Sequence, residues 1–527
     1  MLRKPIVLLV TLGVLVLCLV GAPSPTLLAE EASSALKKGV GTERQQTTAP
    51  KKSETEMASE TLSVTRHAIT INGKSLTYTA TAGTTQMKDE SGKVKASLFF
   101  TAYATERQKD EPERPVTFAF NGGPGAASLW LHLAALGPKR VLLTDEKGAL
   151  PPPYKRVSNE YTWLGFTDLV FIDPIGTGYS RAAPGVDPKE FYGVKGDIEA
   201  AGDFMRLYCT RYGRWMAPKF IAGESYGTTR AAGLSGYVQD KLGMHLDGII
   251  LISSALDFQA ISFVPGNDLS YVLYLPAYAN AAWYHKKLSP ILQADPGRTR
   301  DEVEQFALNE YLVALAKGNS LTDAEREKIV DRLATYTSLP KPYIRNSNLR
   351  ISRDGFMKEL LRDEHRRIGL LDSRITGAYQ FERLMDDPSM FNIMGPLVAA
   401  WNDYVRQELK YESDIPYEFL SEKANESWNW GSAAKGYVNT AHTLGQAMGR
   451  SSFLRVFIAS GYYDLDTSYF GAQYTANHLG GDPKLRDRVT MAYYDAGHQM
   501  YTHMPALKKL RDDVAAFFKT ALPGEQR

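Results

Sequence analysis

The sequence predicts an α/β fold: a mostly parallel sheet with flanking helices and a helical cap insertion. Three observations lead there. Short apolar runs alternate with helix-patterned segments between Pro115 and Ser253, the rhythm of strands joined by right-handed crossovers. A serine flanked by glycines, Gly223-Glu224-Ser225-Tyr226-Gly227, stands between one such run and one such helix. From about Leu256 the strand rhythm gives way to helical patterning as far as about Trp430, and strands then return at Leu454.

Taken in order, His67 to Ile71 and Ser75 to Ala80 are β-rich runs joined through Asn72-Gly73, a strong hairpin signal. Ala96 to Ala104 extends this antiparallel edge. Pro115 to Phe120 is an apolar strand that runs into Asn121-Gly122-Gly123-Pro124-Gly125, where glycines turn backbone N–H groups outward. Leu169 to Asp173 is the next buried strand; the glycine-bearing loop after it lacks the Gly-Lys-Ser/Thr ending of a phosphate loop. Gly196 to Tyr212 reads as a helix, Phe220-Ile221-Ala222 as the strand before the serine, Thr228 to Asp240 as the helix after it, and Ile249 to Ser253 as a further strand. In the insertion, Ala277 to Leu288, Asp301 to Lys317, Asp323 to Tyr336 and Gly355 to Glu364 carry helical patterns, and Thr322 with Glu325 forms a capping box. Leu454 to Ala459 and Val489 to Tyr494 resume the sheet, and Pro505 to Thr520 closes the chain as an amphipathic helix. The expected organisation is 62–255 and 431–527 as two parts of one core, with 256–430 inserted between them.

The glycine-flanked serine is a nucleophile elbow, a turn too sharp for side chains on its flanks. It holds Ser225 above the sheet, with the N–H of Tyr226 and the positive end of a helix beneath it, a setting that suits an oxyanion. A serine hydrolase also needs a base and an acid to orient that base. Asp464 follows one predicted strand and His498 the next, and the order Ser, Asp, His is that of the α/β-hydrolase fold. Asp466 and Asp495 are rival acids; His503 and His478 are rival bases.

These motifs resemble the serine carboxypeptidases between Phe118 and Pro505, interrupted by the insertion. Asn121 to Gly125 resembles that family's oxyanion segment and Gly137-Pro138 its continuation. Asn159 with Trp163, and Asp173-Pro174 through Ser180, match the next block. Gly461 with Asp464, and Ala496-Gly497-His498 with Pro505, match the acid and histidine motifs. The resemblance implies that Ser225 is the nucleophile, Asp464 the orienting acid and His498 the base. It implies that the N–H groups of Gly123 and Tyr226 form the oxyanion hole, and that Asn121 and Glu224 bind the substrate's C-terminal carboxylate. Thr228 stands where a smaller residue is usual and Tyr462 where an additional Asp is usual, but two other departures matter most. Ala126 stands where a cysteine is common, and Ala135 stands where a glutamate would pair with Glu224. His132, one helical turn earlier, is either a compensating donor or an ordinary helix residue.

Composition bounds what is left. With 527 residues, 44% of them hydrophobic, the chain can bury a large core. Residues 1–29 read as an export signal: basic Arg3 and Lys4, apolar Ile6 to Val20, and Leu27-Leu28-Ala29 before a cleavage point, with an uncleaved anchor as the alternative. Two of the 61 basic residues fall there, which leaves 59 against 59 acidic ones. A neutral mature chain argues against a nucleic-acid partner. Residues 30–61 read as a disordered linker. Cys18 lies in the signal, so Cys209 has no intrachain partner and reads as a small core residue. The resulting expectation is an exported serine-type carboxypeptidase acting on peptides through an acyl-enzyme, periplasmic or extracellular, with no metal or cofactor. An esterase or acyltransferase on the same fold, or a catalytically silent binding protein, are the alternatives.

Overall fold

The computed structural model describes residues 60–106, 112–144, 148–379, 387–431 and 436–522. The expected export signal and all but the last two residues of the expected linker lie outside these. Strands β1 (Leu62–Ile71), β2 (Lys74–Lys88) and β3 (Val94–Thr105) form the antiparallel edge of one large sheet. The turn between β1 and β2 places Asn72 at φ 49° and Gly73 at φ 78°. That is the backbone a two-residue hairpin requires, and these residues tolerate it best.

The sheet continues with β4 (Val116–Phe120), β5 (Asp168–Ile172), β6 (Lys219–Ser225), β7 (Gly248–Ser254), β8 (Arg455–Gly461) and β9 (Val489–Tyr494). The spatial order is β1-β2-β3-β5-β4-β6-β7-β8-β9. Pairing is antiparallel as far as β5 and parallel from β5 to β9. Every residue of β4, β5 and β7 is buried, which explains why these segments read as continuous apolar runs rather than alternating ones. This is the α/β-hydrolase fold.

Each face of the sheet is covered. On one side α1 (Val194–Arg211), α2 (Tyr226–Leu242) and α8 (Ala441–Arg450) contribute Phe204, Leu234 and Met448 to a cluster with Phe118 and Ile249. On the other, α7 (Pro388–Gln407) and α9 (Met504–Ala521) bring Trp401 and Phe518 against Phe171 and Phe220. Helices α3 (Leu269–Tyr284), α4 (Pro296–Phe306), α5 (Asp323–Thr337) and α6 (Arg353–Glu359) enclose a third cluster of their own, into which Leu465 and Phe470 reach. The stretch 256–430 thus meets two environments: its first part surrounds its own core, and α7 lies on the sheet.

Several boundaries differ from the sequence reading. Helix α3 begins at Leu269, eight residues before the expected start, and carries Pro276 inside it. Burial of nearly the whole helix surface outweighs the lost hydrogen bond that usually stops a helix at proline. The capping box is present: Thr322 accepts from the Glu325 N–H, and the Glu325 carboxylate accepts from the Thr322 N–H. A short ribbon, Arg366–Ile368 with Thr376–Ala378, interrupts a stretch read as helical. Helix α7 escaped the sequence reading, because Gly395-Pro396 breaks its periodicity.

Candidate active site

Strand β6 ends at Ser225 and helix α2 starts at Tyr226, with no residue between them. Ser225 sits at φ 57°, ψ −129°, a conformation an L-residue holds only where its surroundings impose it. The surroundings do. A Cβ on Gly223 would come 2.3 Å from the Gly227 carbonyl oxygen, and one on Gly227 would come 2.8 Å from that of Phe120. Both flanks must therefore be glycine. The Tyr226 N–H opens α2 and has no intrahelical acceptor. The glycine loop after β4 lies directly on it, since a Cβ on Gly122 would stand 2.4 Å from the Tyr226 nitrogen. Gly123 follows at φ 97°.

Underneath, Arg230 of α2 braces this loop. It is 1% exposed, donates to the Asn121 carbonyl at 2.8 Å, and pairs with buried Asp197 at 2.8 Å. Neither member of the pair stood out in the sequence, because they are 33 residues apart on separate helices.

The loops after β8 and β9 bring Asp464 to His498. Asp464 Oδ2 lies 2.8 Å from His498 Nδ1. The rest of the Asp464 carboxylate is filled by the N–H groups of Asp466 and Thr467 and by the Thr467 hydroxyl. The backbone of His498 is tied on both sides, its N–H to the Leu371 carbonyl and its carbonyl to the Ser253 hydroxyl. Nδ1 being engaged, Nε2 is the nitrogen left for the cleft. Burial alone would hold this imidazole neutral, but Asp464, Asp466 and Glu224 outweigh it and raise its pKa to about 9.

Glu224, just before the serine, is 3% exposed. Its Oε2 accepts from the Asn121 side-chain amide and from the Tyr501 hydroxyl. Asn121 Oδ1 accepts from the Leu131 N–H at 3.0 Å, which fixes the amide so that its nitrogen faces Glu224. Oε1 points to the other side, 3.9 Å from His498 Nε2. Burial pushes the Glu224 carboxyl up to about 7, although His498, Tyr501 and Asn121 pull it down. Asn121, Gly123, Glu224, Ser225, Asp466 and His498 line one cleft of about 320 Å³.

The rival residues lie elsewhere or differently. Asp495 is exposed; His478 is exposed and stacked on Tyr474; His503 follows the Met500–Thr502 turn outside this cleft. Asp466 is nearer, with Oδ2 4.0 Å from His498 Nε2, but Arg353 of α6 holds its other oxygen at 3.0 Å. His132 does not serve Glu224. It stacks on Phe171 at 4.1 Å and is hydrogen-bonded to the Tyr103 hydroxyl at 2.6 Å. Ala135 is fully buried within the turn His132–Leu136, which touches Met500–Thr502. The second side chain on Glu224 is Tyr501, which the sequence reading did not single out. Cys209 is buried, and burial raises its thiol to about 11, which suits a core residue.

Residues 75–262 match the family model described as serine carboxypeptidase. That stretch holds the glycine loop and the nucleophile elbow; Asp464 and His498 lie beyond it. Serine-type carboxypeptidase F of Aspergillus niger is 31% identical over 144 residues, 26% of this chain and 23% of the relative. Pheromone-processing carboxypeptidase KEX1 of Yarrowia lipolytica is 28% identical over 187 residues, 34% of this chain and 26% of the relative. These matches span about a quarter of each relative's length. Among solved structures, a prohormone-processing carboxypeptidase from Saccharomyces cerevisiae superposes with a TM-score of 0.53 at 15% identity, covering 84% of this chain and 91% of that one, a likeness of fold.

Proposed function

We propose that this chain, similar over residues 75–262 to the serine carboxypeptidases, is itself a serine-type carboxypeptidase that releases C-terminal residues from peptides. In this reading the Ser225 hydroxyl attacks the last peptide carbonyl while His498 Nε2 takes its proton, and Asp464 keeps the imidazole in the productive tautomer. The N–H groups of Gly123 and Tyr226 receive the oxyanion. His498 returns the proton to the leaving amine. Water then resolves the acyl-enzyme by the same route. The apolar run from Ile6 to Val20 supports export.

The observation that carries the exopeptidase part is Glu224. A buried carboxyl, with no lysine or arginine paired to it among the described residues, lies in the cleft that holds the nucleophile. With its pKa raised, it carries a proton through the acidic range, and a protonated carboxyl can donate to a substrate carboxylate where an ionised one would repel it. Asn121 supplies a second amide hydrogen.

The test compares a blocked dipeptide bearing a free C-terminus with the same dipeptide amidated. At pH 6 the free acid should be favoured in kcat/KM by about tenfold or more, the effect of a hydrogen bond to a charged group. Equal rates on the two substrates would leave an esterase-like hydrolase and remove the carboxypeptidase reading.

A further inference from the structure

We infer that Tyr501 is a positioning residue for recognition of the substrate carboxylate: with Asn121 it occupies Glu224 Oε2, so that the exchangeable proton of Glu224 resides on Oε1, facing the cleft. This rests on the carboxypeptidase reading and adds to it a residue and a pH dependence. Tyr501 is 1% exposed, and its hydroxyl donates to Oε2 at 2.5 Å. The Asn121 amide donates to the same oxygen and is prevented from flipping by the Leu131 N–H. Two donors use both in-plane lone pairs of Oε2, and a carboxyl proton needs one of them. The proton is left Oε1, the oxygen turned towards His498 Nε2 and the cleft.

The arrangement replaces what the resemblance leads one to expect. A glutamate at position 135 could share a proton with Glu224; Ala135 cannot. The turn that carries Ala135 touches the Met500–Thr502 turn, and from there a phenol reaches Glu224. A phenol differs from a carboxyl in one respect that matters. Burial moves its titration well above 10, so it donates at every working pH and favours the ionised form of Glu224. The other ionisable groups facing Glu224 are His498 and, behind it, Asp464. His132, on the neighbouring turn, faces Phe171 instead.

The test is Tyr501→Phe, assayed on a blocked dipeptide with a free C-terminus and on a matched ester with no carboxylate, across pH. Below the alkaline limb the ratio of kcat/KM for the free acid to that for the ester should fall severalfold, up to about tenfold, because the Glu224 proton is no longer confined to Oε1. The alkaline limb for the free acid should move up by roughly one unit, because a donor to the ionised form is gone. In a Glu224→Gln background the same change should move no limb. A fluorophosphonate labelling rate within a few-fold of wild type would show that Ser225 is intact. A purely structural tyrosine would lower both substrates together and shift nothing. If wild type favours the free acid and Tyr501→Phe keeps both the ratio and the limb, the role of Tyr501 is overturned alone. If wild type shows no preference for the free acid, the carboxypeptidase reading falls and takes this role with it.

Discussion

His132 and His498 are 1% and 2% exposed, yet their surroundings move them in opposite directions. His132 lies between the sheet and α7, flat on Phe171, edge-on to Trp401, with only the Tyr103 phenol at its Nε2. Among the described residues no carboxylate faces it, and burial lowers its pKa to about 3. His498 loses as much water, but sits where the end of β6 delivers Glu224 and the loop after β8 delivers Asp464 and Asp466, and its pKa rises to about 9. Burial therefore does not distinguish a structural histidine from a chemical one. The charges brought within about 4 Å do, and in this fold those charges collect at the carboxyl ends of the parallel strands.

The sharpest break between the two regions is in turnover. Ser225→Ala or His498→Ala should each lower kcat by about 10⁶, as in other triads, and the double variant should be little worse than either single one. His132→Phe should keep turnover per folded molecule within a few-fold. Active-site titration with steady-state rates checks this. Substantial activity in purified Ser225→Ala protein would refute the nucleophile assignment.

How far the sequence reaches follows the same division. The elbow, the glycine loop and the buried parallel strands are local: a few consecutive residues fix a turn or a face, and those readings hold. What depends on distant chain segments was not legible. Asp464 is favoured by its place after a strand and by the resemblance, with Asp466 and Asp495 as rivals; in the structure Asp464 is the buried one, 2.8 Å from His498 Nδ1. Tyr501 reaches a carboxylate 277 residues earlier, and Arg353 reaches Asp466 across 113. Such pairs leave no periodicity. His132 could be read from sequence as a donor towards Glu224, one turn before Ala135. The helix is a π turn there, and the ring goes to Phe171.

The second prediction separates the two histidines by stability. His132 is neutral in the fold down to about pH 3, whereas in the unfolded chain it takes up a proton below about 6.5. The unfolded state thus binds more protons, so its contribution is complete above 6.5 and is lost as pH falls, by about 1.4 kcal/mol per unit. Glu224, and Asp173 with a pKa of about 7, act in the opposite sense, their raised values favouring the fold below pH 7. The difference between wild type and variant isolates His132. At pH 7, His132→Phe should cost about 1 kcal/mol for the hydrogen bond to Tyr103. By pH 5 wild type should have lost about 2 kcal/mol that the variant does not lose, and the order should reverse. Urea unfolding midpoints at the two pH values check it; curves that run parallel would mean that His132 is charged in the fold or reaches water.

The smallest effect tests the other histidine through Asp466. Its Oδ2 lies 4.0 Å from His498 Nε2 and helps to raise that imidazole, so at pH 7 most of the free protein carries an imidazolium where the proposed mechanism needs a free base. Asp466→Asn keeps the shape and removes the charge. The acid limb of ester hydrolysis should then move to lower pH, and the rate at pH 7 should rise. The shift should be modest, roughly half a unit to one unit, because Asp466 is 31% exposed and Arg353 already offsets part of its field. The loop should hold in the variant, since the Tyr274 hydroxyl still donates to the carbonyl of residue 466. An ester substrate is required, because a free-acid peptide would fold the titration of Glu224 into the same profile. A rate that falls at every pH with the limb unmoved would mean that residue 466 shapes the cleft without tuning the base, and that Asp464 and Glu224 alone set His498 apart from His132.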